Sequence, residues 1–168
     1  GPITQVYRLT DKETEILMRD PKAVTDAFFH DLADSYTDIR HSKKLPFGNY
    51  LKVHPVKNKL EYQLIAQNNV GLRFVNNRRD FQFTLTDHLG SGVTQASVTN
   101  AKGKRIKYDP NSRLFKSSYP GTNGHIKIVH NGISNYFTYD ADENYINRNK
   151  PTITKRIAHI FSVKQIKK

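Results

Sequence analysis

The densest acidic run in the chain, Asp140-Ala141-Asp142-Glu143-Asn144, begins like a calcium loop, in which alternating oxygens converge on one ion. The likeness stops at the sixth position. Tyr145 stands where the loop needs a glycine for its sharp turn, and Pro151 where it needs a bidentate acid. A solvated loop is the better account. Histidine is the next candidate ligand or base. None of His30, His41, His54, His88, His125, His130 and His159 lies two, three or four residues from another. His125 and His130 are five apart, which puts them on opposite faces of one strand. Cysteine is absent, which excludes disulfide staples, Cys-ligated zinc and a thiol nucleophile. No Gly-x-Ser-x-Gly elbow occurs, and Gly103-Lys104 is followed by Arg105 rather than by Ser or Thr, so there is no P-loop. The chain is therefore read as non-enzymatic, with no catalytic residue, metal site or cofactor expected.

Charge suggests what binding could do instead. Lys and Arg number 27 against 15 Asp and Glu, a formal charge of +12, which favours anionic partners or a lysine-rich soluble surface. Arg78, Arg79, Lys102, Lys104 and Arg105 are the candidate anion-binding residues, with Tyr108, Phe115 and Tyr119 available to stack bases. Yet these aromatics alternate with polar residues in strand fashion, which marks them as core. No zinc finger or RNA-binding motif appears. Binding of nucleic acid or an anionic polysaccharide is kept as the alternative, with nucleic acid the less expected.

The elements that would carry these residues fall into three stretches. Residues 1–45 read as helical: Thr10-Asp11-Lys12-Glu13 opens like a capping box, with Ile16, Leu17 and Met18 following. A second helical pattern places Val24, Ala27, Phe28, Leu32 and Tyr36 on one apolar face. From Phe47 the period changes to two. Leu60, Tyr62 and Leu64, then Leu72 and Phe74, then Phe81, Phe83 and Leu85 alternate with polar neighbours. Turn signals recur at Leu89-Gly90-Ser91-Gly92, Lys102-Gly103, Asp109-Pro110, Pro120-Gly121 and Asn131-Gly132; the last suits a type I′ hairpin. The expectation is a mainly β protein with an α-helical N-terminal part. An antiparallel β-sandwich would occupy 46–140, its firmest part within 70–140.

Residues 141–168 read as a polar linker and a basic tail or amphipathic helix, with Ile153, Ile157, Ile160 and Phe161 at helical spacing. Phe28, Phe29 and Leu32 in the N-terminal part, with Ile157, Ile160 and Phe161 in the tail, are the candidate interaction residues. No 18-residue apolar run exists, so no membrane span is expected. Gly1-Pro2 reads as the scar of a cleaved tag.

The stretch from Leu45 to Phe137 resembles the N-terminal region of Bacteroidetes alpha-2-macroglobulin-like proteins. The residues that carry the likeness are Leu45-Pro46-Phe47-Gly48-Asn49-Tyr50-Leu51, Val75-Asn76-Asn77-Arg78-Arg79-Asp80-Phe81, and Leu85-Thr86-Asp87-His88-Leu89-Gly90. Val93-Thr94-Gln95-Ala96-Ser97-Val98 and Gly103-Lys104-Arg105-Ile106-Lys107-Tyr108-Asp109 complete the set. The resemblance implies a macroglobulin-type or immunoglobulin-like sandwich in a large exported protein, periplasmic or in the cell envelope. It would frame a protease inhibitor and pack against other domains of the same polypeptide, meeting proteases only through the full-length protein. In that family inhibition uses a bait segment and often a Cys-Gly-Glu-Gln thioester. This chain has no cysteine, so the thioester does not lie in it.

Overall fold

Four aromatic side chains at one level set the plan of the larger β unit. In the computed structural model, Phe74, Phe83, Phe115 and Tyr108 stand opposite one another in register on four adjacent strands. The residues described are 4–20, 36–37, 45–56, 59–75, 80–118, 124–139 and 159–161. The chain divides into two compact units, Gly1–Gln67 with Ile153–Lys168 and Asn68–Thr152. The sequence placed the division near residue 45 instead. The long hairpin after Gly48 carries the same alternation as the later strands, so period alone does not reveal that it belongs to another sheet.

In the first unit a five-stranded antiparallel sheet runs in the order β12-β4-β3-β1-β2. Its strands are β1 (Gln5–Arg8), β2 (Tyr36–Thr37), β3 (Gly48–Val56), β4 (Lys59–Gln67) and β12 (His159–Phe161). Leu51 pairs with Leu64 and Val53 with Tyr62, all four buried on one face, while Val6 and Tyr50 are buried on the other. Helix α1 (Asp11–Arg19) follows β1 and begins as expected. The Thr10 hydroxyl accepts from the Glu13 N–H while Glu13 Oε1 accepts from the Thr10 N–H at 2.7 Å.

Three sequence expectations change here. The N-terminal stretch begins with a strand rather than a helix: β1 sits between β3 and β2, and four residues are too few to show a period. Tyr36, placed on a helical stripe from its spacing, lies in β2 and pairs with Tyr7. Ile160 and Phe161, expected on a basic helix, lie in β12 opposite Glu61 and Leu60. Pairing along the edge of β4 overrides the weak helical pattern of a short segment. The remainder of the second helical pattern lies outside the described residues, as does the acidic run at 140–144.

The second unit builds two sheets. One has four strands in the order β5-β6-β9-β8, from β5 (Val70–Phe74), β6 (Asp80–Asp87), β8 (Lys107–Asp109) and β9 (Leu114–Ser118). The other has three in the order β11-β10-β7, from β7 (Ser97–Asn100), β10 (Gly124–His130) and β11 (Ile133–Tyr139). Alternation explains the burial. Val70, Leu72 and Phe74 are buried while Gly71 and Arg73 between them are not. Both sheets feed one apolar cluster, in which Phe81, Phe83, Leu85 and Phe115 join Val98, Ile126, Ile128 and Phe137. Asn131 and Gly132 both have positive φ, +49° and +75°, the type I′ turn expected between β10 and β11. A mainly antiparallel β protein is what the sequence predicted.

The Phe83 and Phe115 rings stack at 5.5 Å, with Phe74 edge-on to Phe83 at 5.8 Å and Tyr108 edge-on to Phe115 at 5.1 Å. Each such pair adds about 0.5–1.5 kcal/mol beyond its buried area. Replacing Phe83, which touches two of these partners, with Ala should cost about 3–5 kcal/mol by chemical denaturation. Thr10→Ala, which removes only the helix cap, should cost about 1 kcal/mol. A Phe83→Ala loss no larger than the cap loss would contradict the ladder.

Candidate functional site

The side chains with the most specific geometry in the second unit hold turns and joints. Asp87 Oδ1 accepts from the Leu89 and Ser91 N–H groups at 2.9 Å each. Asn100 Oδ1 accepts from the Lys102 and Lys104 N–H groups, again at 2.9 Å each. In both turns the fourth residue is a glycine of positive φ, Gly90 at +89° and Gly103 at +81°, whose N–H donates back to the first residue's carbonyl. Flanking each turn the backbone closes in the same way, Val93 N–H to the Leu85 carbonyl and Ile106 N–H to the Val98 carbonyl. Two copies of one device, Asx-x-x-Gly, therefore follow β6 and β7. A short acceptor side chain reaches the N–H groups two and four residues on, and glycine adopts the left-handed conformation without a Cβ penalty.

Asp109 closes a third turn: its Oδ1 accepts from the Asn111 N–H at 3.0 Å and its Oδ2 from the Ser112 hydroxyl at 2.8 Å, with Lys116 Nζ 3.1 Å from the same Oδ2. The Ser112 hydroxyl, then the Asn111 N–H and the Lys116 ammonium hold its carboxyl at about 2. Asp87 is also held below the ordinary carboxylate value, chiefly by the Ser91 N–H, with the Leu89 N–H and the charges of His88 and His130 assisting against partial desolvation.

A buried amide clasp joins the start of β5 to the β10–β11 hairpin. Asn135 Oδ1 accepts from the Asn69 N–H at 2.8 Å. Asn135 Nδ2 donates to Asn69 Oδ1 at 2.8 Å and to the Ile128 carbonyl at 3.0 Å. Asn69 Nδ2 completes the clasp by donating to the His130 carbonyl at 2.8 Å. Asn135 is fully buried and Asn69 nearly so, so each amide needs these partners.

Of the sequence-derived candidates, Lys102, Lys104 and Arg105 sit together on the exposed turn after β7. Arg78, Arg79, Phe28, Phe29, Leu32 and Ile157 lie outside the described residues. Ile160 and Phe161 are placed by backbone alone, in β12. Among the described residues, no group of three His, Asp or Glu side chains is placed to hold a metal ion. His125 is buried with its ring 5.8 Å from that of Tyr136, a packed position, while His130 ends the same strand half-buried. No helix among the described residues is long and apolar enough to cross a membrane. Sequence reading missed Asp87, Asn100, Asn69 and Asn135. The first two had a usable signal in the repeated Asx-x-x-Gly spacing; the clasp, across 66 residues, had none.

No known family profile, curated protein or solved structure matches the chain.

Two outcomes follow. Asn135→Leu strands the Asn69 amide groups in the interior and should cost about 2–4 kcal/mol, with faster hydrogen exchange at Asn69; unchanged stability would contradict the clasp. For Asp109, a pKa lowered by folding stabilises the native state above the ordinary value of 3.8, and that contribution is lost as pH falls toward about 2. Asp109→Asn should therefore flatten the fall in stability between these pH values, read by thermal melts. An unaltered acid profile would rule this out.

Proposed function

We infer that the chain is a non-enzymatic scaffolding and interaction piece of a large exported protein, with the second unit an immunoglobulin-like sandwich. The observation that carries the reading is strand order. Lettering β5 to β11 as A to G puts A, B, E and D in one sheet and C, F and G in the other, the arrangement of constant-type immunoglobulin domains. The single cluster fed by both sheets supports face-to-face packing. The tryptophan and inter-sheet disulfide that mark antibody domains have no counterpart in this composition, and phenylalanines fill the space between the sheets.

The resemblance of Leu45 to Phe137 to the alpha-2-macroglobulin-like proteins gives this reading its specific form. The chain would frame a protease trap, docking against other domains of the same polypeptide, and would hold no inhibitory residue itself. Polar side chains of the second unit support a structural role: Asp87, Asn100, Asp109 and Asn135 bind backbone groups of their own chain.

An antiserum raised against the chain, applied to fractions of the source cells, tests the reading. It should detect a polypeptide several times larger than 19.4 kDa in the periplasmic or envelope fraction. A band near that mass in the cytoplasm would overturn it.

A further inference from the structure

The exposed cations after β7 follow one another closely in the chain. Lys102, Lys104, Arg105 and Lys107 are all exposed, and no acid interrupts them from Ala101 to Tyr108. Each is anchored at its backbone. The Lys102 and Lys104 N–H groups are held by Asn100 Oδ1, Arg105 bridges to Thr99, and Lys107 pairs in β8. Among the described residues these four have no ion-pair partner. Lys107 also stands directly opposite Lys116 on β9. The acid beside that pair, Asp109, lies against Lys116.

We propose that the turn and edge strand from Lys102 to Lys107 bind an acidic polysaccharide. This goes beyond the scaffolding reading and does not depend on it. Charge complementarity supplies the attraction, and the Asn100-locked turn presents the cations on an already ordered backbone, so binding has only their side chains to order. The aromatic side chains of this sheet point the other way. Phe81, Phe83 and Phe115 are buried and Tyr108 packs against the same cluster, so these rings of the sheet are not offered to a base on the basic side. Cations confined to one short turn and edge strand suit one extended polyanion better than the two backbones flanking a duplex groove about 12 Å wide.

The test measures binding of the full chain to immobilised heparin at about 0.15 M salt, with 20-base-pair duplex DNA and neutral dextran as comparators. The triple variant Lys104→Gln, Arg105→Gln, Lys107→Gln is set against Lys12→Gln, Arg19→Gln, Lys52→Gln, which removes the same charge from the first unit. Circular dichroism confirms that both variants fold. Heparin should bind in a salt-dependent way, the first variant about tenfold more weakly and the second within about twofold of the parent. Equal losses in the two variants would reduce the effect to net charge and overturn the site. So would DNA binding as tight as heparin binding, or no heparin binding at all.

Discussion

The aromatic row from Phe74 through Phe83 and Phe115 to Tyr108 is the contact on which the second unit depends. Register carries each ring onto the next strand, and a slip by one residue would turn every ring toward water. The row therefore fixes pairing and core together. In a chain without cysteine or tryptophan, phenylalanine is the largest purely apolar side chain available for the task. Its inward commitment also leaves the outer side of that sheet to polar and charged residues, Arg73, Gln82, Lys107, Asp109 and Lys116 among them.

Once the sheets are registered, their ends need closing, and short polar side chains do this. Asp87, Asn100 and Asp109 satisfy turn amides that would otherwise depend on water. Asn135 does the same for the start of β5, across the gap between sheets. These residues resemble candidate catalytic or ligand-binding groups when read singly. Their partners are mostly backbone atoms of neighbouring strands and turns, with the Ser112, Lys116 and Asn69 side chains completing the set.

What the sequence revealed and what it hid divide by range. The capping box at Thr10, the alternation from Leu60 to Leu85 and the Asn131-Gly132 hairpin rest on neighbours a few residues apart, and each is visible in residue order. The placement of β1 in the middle of a sheet, the return of β12 to β4 and the Asn69–Asn135 clasp rest on contacts far along the chain. No local pattern encodes them. The helical reading of Ile160 and Phe161 shows the risk: a short segment of mixed character pairs along the edge of β4 despite its local spacing.

The most direct test of the account is a nuclear Overhauser spectrum of the intact chain, read between the two sheets of the second unit. The account predicts cross-peaks from the Phe81, Phe83 and Phe115 rings to methyl groups of Val98, Ile126 and Ile128. Cross-strand peaks within each sheet, with none linking one sheet to the other, would contradict it.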